Sequence, residues 1–227
     1  MPDVDRPSGG PGRLLELAIA DDPAGWEAAG FTVEGDAIRL DATTIRLLGR
    51  SPERKGIVSW TLAGLDIDDG TLDGLPTATA DPAPAAAETA APAHPNGITS
   101  IDHVVVLTPD LDRTIEALAV VGLDLRRIRD TESYGSPMRQ AFFKLGPIVL
   151  EVVSGDTGTG RPAADAPAAW FGLAVNVGDL DALGALLGEG LGSIKVAVQP
   201  GRRIATLRHK DLGLSVAVAV MDDHADR

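Results

Sequence analysis

From residue 98 onward, short runs of alternating apolar and polar residues give way to a helical rhythm, and the change happens twice. "SIDHVVVLTPDLDRTIEAL" (100–118) passes from a strand-like run into a helix, and "FGLAVNVGDLDALGALL" (171–187) does the same. Asp110-Leu111-Asp112 in the first copy matches Asp179-Leu180-Asp181 in the second. Thr108 is suited to cap the first helix and Pro109 to enter its first turn. Asp110 and Asp112 suit the positive end of its dipole. Asp179 is suited to cap the second helix, and Gly188, Gly190 and Gly192 mark its end. Three strand-like stretches follow each helix: 124–130, 138–145 and 148–153, then 193–198, 203–209 and 214–220. "YGSP", "GP", "QPG" and "DLG" supply the turns between them. Each unit reads β-α-β-β-β.

Residues 13–76 read as a third, divergent copy. "RLLELAIA" is strand-like, "DDPAGWEAAG" a short helix, and "FTVEG", "DAIRLD" and "TTIRLLG" are three strands. "GIVSWTLAGLD" (56–66) adds one more strand without a full fourth unit. Between the two parts, 77–97 is nearly all Ala, Pro and Thr, and is expected to be an extended or disordered linker. The organisation is therefore a disordered 1–12, a unit at 13–76, a linker at 77–97, a two-unit domain at 98–221 (98–155 and 167–221) and a tail at 222–227. An odd unit leaves a sheet edge unpaired, which predicts edge capping or a homodimer.

Composition narrows the function. The chain is 44% hydrophobic but only 4% aromatic, so its core is built from Ala, Val, Leu and Ile. A net charge of −13 excludes nucleic acid and an anionic membrane surface as expected partners. No apolar run approaches the roughly 20 residues that span a bilayer. There are no cysteines, which removes disulfides, thiolate chemistry and thiolate metal sites and suits the cytoplasm. "MPDVDRPSGGPG" lacks the apolar core of a signal peptide. Arg over Lys, with abundant Ala and Gly, suggests a GC-rich bacterial source. "GDTGTG" (155–160) lacks the setting of a phosphate loop. His94 in the linker and His224 in the tail are expected to be exposed.

Tandem βαβββ units with "IDHVVVLTPDLD" at a first strand and "PIVLEVV" at a fourth resemble the vicinal oxygen chelate superfamily. It includes glyoxalase I, bleomycin-resistance proteins, extradiol dioxygenases and methylmalonyl-CoA epimerase. The resemblance implies an α+β fold in which two units form a cup-shaped mixed sheet. It also implies a divalent metal (Mn, Fe, Ni, Zn or Mg) held by His or Gln and Glu from first and last strands. His103 and Glu151 stand at two such positions. The second unit departs from the pattern: Gly172 and Ala217 or Val218 occupy the equivalent places, and none binds a metal. Gln199, His209, Gln140 and Glu16 are the remaining candidate donors.

Strand alternation places Ile101, His103 and Val105 on one face, and Val149, Glu151 and Val153 on one face. A carboxylate between valines is costly to bury alone, so Glu151 is expected to meet His103, an Arg, a metal or a ligand. A retained His103–Glu151 hydrogen bond without metal is the simpler reading. Gly172, Ala174 and Asn176 share a face, as do Ser215, Ala217 and Ala219. These small side chains either open space for an organic ligand or allow close packing against another sheet, such as the N-terminal unit. Arg202 and Arg203 after "QPG" clamp an anion or carry solvated charge. Tyr134 lies in the stretch 130–140, which either rims the cup or forms a plain surface hairpin. Trp60 and Trp170 suit core or interface positions, and Trp170 is placed on the Gly172 face, where it would stack on a ligand.

Two functions follow. One is a protein that binds a small organic molecule in a cup whose metal site is degenerate, with no cofactor. The other is a lyase, isomerase or dioxygenase using a divalent metal on His103 and Glu151, or Glu151 as a metal-free general base. A plain interaction module with a filled cup is a third.

Overall fold

The computed structural model describes residues 12–67, 70–81, 91–133, 135–155 and 163–223. The N-terminal segment, residues 82–90 of the linker, Tyr134, residues 156–160 of "GDTGTG" and His224 lie outside the described residues.

The first part runs β1 (Arg13–Ile19), α1 (Pro23–Ala28), β2 (Ala37–Leu40), β3 (Thr43–Leu47), β4 (Ile57–Ala63), β5 (Thr71–Leu72) and β6 (Leu75–Thr79). The second runs β7 (Ile98–Leu107), α2 (Leu111–Val120), β8 (Leu125–Ser133), β9 (Ser136–Leu145) and β10 (Ile148–Ser154). It continues with β11 (Ala169–Val177), α3 (Leu180–Leu187), β12 (Lys195–Val196), β13 (Arg203–Thr206) and β14 (Ala217–Asp222). The second part is one mixed sheet in the order β12-β13-β14-β11-β7-β10-β9-β8. β10 pairs parallel with β7, β11 antiparallel with β7, and β14 parallel with β11. These are two βαβββ units joined back to back through their first strands.

Alternation builds the core face of this sheet. Val104, Val106, Leu150, Val152, Leu173, Val175, Val218 and Val220 are all buried at every second position. Leu111, Thr114 and Leu118 of α2 are the buried side of that helix. Asp110, not Thr108, caps it: its carboxylate accepts from the Arg113 N–H, and the Thr108 hydroxyl accepts the Asp110 N–H. The turn at Pro109 therefore stays outside the helix. Asp179 caps α3 in the same way, accepting from Asp181 and Ala182. Of the two readings of 130–140, a rim loop or a surface hairpin, the structure has the hairpin, because β8 and β9 stay paired to its tip.

The first part differs from a single βαβββ copy. Its order is β2-β3-β1-β4-β6-β5. β3 pairs parallel with β1, β4 antiparallel with β1, β6 parallel with β4, and β5 antiparallel with β6. Those are the pairings around β7 and β11 in reduced form. The strand at 56–66 thus opens a fourth unit that has no helix among its described residues, and the odd-unit reason for a dimer falls away. "FTVEG" forms only the isolated bridge of Glu34 to Ala37. Phe31 is buried edge-on to Trp26 instead, with ring centroids 5.1 Å apart.

The linker's last residues dock onto that loop. His94, expected in solvent, is 7% exposed. Its Nδ1 accepts the Thr32 N–H at 3.0 Å, and its Nε2 is 3.0 Å from the Arg39 carbonyl. Asn96 is buried too, donating to the Ala29 carbonyl and accepting the Ile98 N–H. These side chains close backbone hydrogen bonds that the loop leaves open. The buried residues of both sheets form one continuous core, and Trp60 meets Trp170 edge-to-face at 4.8 Å across it. No helix among the described residues is long and apolar enough to cross a membrane.

Candidate functional site

The site grows from an irregularity in β7. Opposite it, Ala174 pairs with His103 and Val175 with Ile101, so Asp102 is an extra residue in the ladder. Such a bulge puts two successive side chains on one side. Ile101 consequently joins Val104 and Val106 on the buried face, while Asp102 and His103 turn to the other side. This corrects the face assigned to Ile101, which strict alternation set beside His103.

Asp102 is the hub. Its Oδ1 lies 2.8 Å from His103 Nδ1, and its Oδ2 accepts from Arg202 Nη1 at 2.8 Å. Arg202 is 3% exposed. Its Nε donates to the Asp222 carbonyl at 2.7 Å and its Nη2 to Asn176 Oδ1 at 2.6 Å. Asn176 in turn donates to the Ser100 hydroxyl at 2.9 Å. Burial opposes ionisation of Asp102 and is the largest single influence on it. Hydrogen bonds from His103 and Arg202, with the attraction of their charges, together outweigh it and hold the carboxyl at about 2. Arg202 is thus a buried structural cation whose guanidinium is spent on internal acceptors.

Glu151 stands one strand away on β10. Its Oε2 is 3.8 Å from His103 Nε2, too long for a hydrogen bond, and its Oε1 accepts from the Gln140 amide. The Gln140 Oε1 is buried with no hydrogen-bond partner among the described residues. Phe142 pairs with Glu151 across the strands, and the Arg127 guanidinium lies over its ring at 4.7 Å. The expected direct His103–Glu151 hydrogen bond is therefore replaced by two separate ones, to Asp102 and to Gln140.

The second unit offers no donor to this pair. Gly172 pairs with Ala217, and Ala174 with Ala219. A Cβ on Gly172 would lie 2.3 Å from the Ala217 carbonyl oxygen, so the glycine is there for close strand approach. Of the two readings of these small residues, open space or close packing, Gly172 shows close approach, to the neighbouring strand of its own sheet rather than to another sheet. Glu16 is engaged by Arg46 at 3.2 Å in the other sheet, and His209 lines a different cavity. No cluster of three or more His, Asp or Glu suited to a metal occurs among the described residues. The divalent metal that the resemblance implies would find His103 and Glu151 here, with the Gln140 amide hydrogen-bonded to Glu151, while the second unit's positions at Gly172 and Ala217 supply nothing. The residues present do not complete that site.

The other sequence candidates scatter. A bulge at Phe171 pairs Trp170 with Val106 and Gly172 with Val105. Trp170 therefore faces the core and Trp60, not the Gly172 face. Ser215 precedes β14; its hydroxyl accepts the Gly56 N–H at 2.7 Å. Arg203 is ion-paired with Asp222 at 2.7 Å and Asp181 at 2.9 Å. Those hydrogen bonds raise its already high pKa, Asp222 first. Asp102, missed from sequence, joins His103 to the buried Arg202. Its only signal was a carboxylate beside His103 in an apolar strand, which alternation hides on the opposite face. Ser100, Asp102, Asn176, Gln199, Arg202 and Lys144 border a cavity of about 530 Å³ at the start of β7, closed by the β2–β3 turn of the other sheet.

No family model matches the chain, and no curated protein does. Solved structures do match. A triple variant of 4-hydroxymandelate synthase from Streptomyces coelicolor superposes with a TM-score of 0.65 at 13% identity, covering 96% of this chain and 94% of that one. A single-site variant of homoprotocatechuate 2,3-dioxygenase from B. fuscum gives 0.59 at 11%, covering 98% and 75%. A catechol 2,3-dioxygenase gives 0.56 at 13%, covering 93% and 87%. The chain has the vicinal oxygen chelate fold. The likeness extends through both sheets.

Proposed function

We propose that this protein binds a small polar organic molecule and that its metal centre is degenerate. The observation that supports this reading is the Asp102–Arg202–Asn176 network beside the cavity of about 530 Å³. Cavities of roughly 300–1,000 Å³ suit small ligands. Asp41 and Lys144 line it with charge that the Asp102–Arg202 pair does not consume, so the ligand carries groups that pair with both signs. Amino acids and small hydroxy acids are the probes. One of them should raise the melting temperature of the wild-type protein, and Asn176→Ala should abolish that rise. Elemental analysis of protein purified without chelator should find no stoichiometric transition metal. Near one equivalent of metal, lost in His103→Ala, would sink the reading.

A second reading rests on Glu151. Its carboxylate faces an imidazole whose other nitrogen is held by Asp102, and the buried Gln140 Oε1 beside it awaits a donor. That arrangement suits an enzyme in which Glu151 moves a proton without metal. Glu151→Gln separates the two: an enzyme loses turnover, whereas a binder keeps its affinity for the probe.

A further inference from the structure

The chain has 33 acidic and 20 basic residues, so an average patch of its surface is negative. One cavity reverses that sign. It has a volume of about 590 Å³ and lies between the β3–β4 connection of one sheet and the loop before β14 of the other. Arg50, Arg54, Lys55 and Lys210 line it with His209, and no carboxylate does. Ala20 and Leu214, both buried, give it an apolar floor.

The walls are pinned from both sides. Arg50 donates through Nη2 to the Gly213 carbonyl, and its backbone N–H is held by Asp22 at 3.0 Å. Ser215 donates its N–H to the buried Asp21 carboxylate and accepts the Gly56 N–H. The acids closest in sequence are spent on those amides or stand outside: Glu53 and Asp211 are exposed and do not line the cavity. Among the described residues, no ion pair involves Arg54, Lys55 or Lys210. Holding like charges together costs Coulomb energy that an anion relieves.

We propose that this cavity binds a small organic phosphate. Lys ammonium and Arg guanidinium groups match phosphate oxygens, and an apolar floor suits the organic part. A nucleic-acid strand is disfavoured, because the net charge of −13 repels a polyanion that reaches beyond the cavity.

The test is titration calorimetry of the full chain at low ionic strength with phenyl phosphate, and with phenol and inorganic phosphate as its halves. Phenyl phosphate should bind more tightly than either half and weaken as salt is added. The Arg54→Gln, Lys55→Gln double variant should bind at least about tenfold more weakly. Lys210→Gln should weaken it in the same direction. Lys195→Gln, which removes equal charge at an exposed position outside both cavities, should change affinity by less than about twofold. No binding of phenyl phosphate, or equal affinity in the double variant, overturns the proposal. Inorganic phosphate binding as tightly as phenyl phosphate overturns its organic half.

Discussion

At the residue scale, Asp102 decides the local electrostatics. Its carboxyl titrates at about 2 when folded, against an ordinary 3.8. A depressed acid stabilises the fold above its unfolded pKa and loses that contribution as pH falls through the folded value. The contribution is therefore complete above about pH 4 and lost towards pH 2, with a size of about 2 kcal/mol. Denaturant unfolding of wild type and Asp102→Asn should differ most at neutral pH and converge on acidification. A constant gap across that range would refute the assignment. Arg202→Ala takes the buried cation from Asp102, which keeps only His103, and from the Asp222 carbonyl and Asn176 Oδ1, so it should cost about 3–5 kcal/mol, read as a lower unfolding midpoint.

At the element scale, bulges and close approaches set which side chains meet. Gly172 is the sharpest case, with the Ala217 carbonyl where a Cβ would go. Gly172→Ala should destabilise by about 1–3 kcal/mol through strand displacement. Gly178→Ala, where a Cβ meets nothing within 4 Å, should stay within about 0.5 kcal/mol. Thermal melts of the two variants side by side check this, and equal losses would remove the packing explanation. The helix caps are a second case. Asp110→Ala and Asp179→Ala should each cost about 1 kcal/mol, because each carboxylate serves backbone N–H groups that the helix leaves open.

At the scale of the whole molecule, two sheets share one core. Trp60 and Trp170 lock them together, and Arg113 reaches from α2 to Asp73 in the β5–β6 turn at 2.8 Å. A shared core unfolds as a unit. Calorimetry of the full chain should show one transition, and Trp60→Ala should lower it by about 3–5 kcal/mol of stability without splitting it. Two separate transitions in wild type would show that the sheets are independent domains. Both cavities described above include residues from both sheets, so function at either requires that union.

Sequence alone determined what depends on local pattern. The βαβββ order of residues 98–221, the matched Asp-Leu-Asp helix starts and the absence of metal donors at Gly172 and Ala217 were all legible. Period-2 alternation and helix capping are properties of neighbours in the chain. Only the tertiary structure decided the rest. The bulges at Asp102 and Phe171 change which face a residue takes, and a bulge exists only against a paired strand. That is why Asp102 was missed and Trp170 was placed on the wrong face. The fourth, reduced unit at 57–79 was hidden because its strands are short and no helical pattern marks it. His94 and Asn96 sit in an Ala- and Pro-rich stretch whose order comes from the loop they cap. The basic cavity joins residues 50–55 to 209–215, and no spacing along the chain announces that meeting.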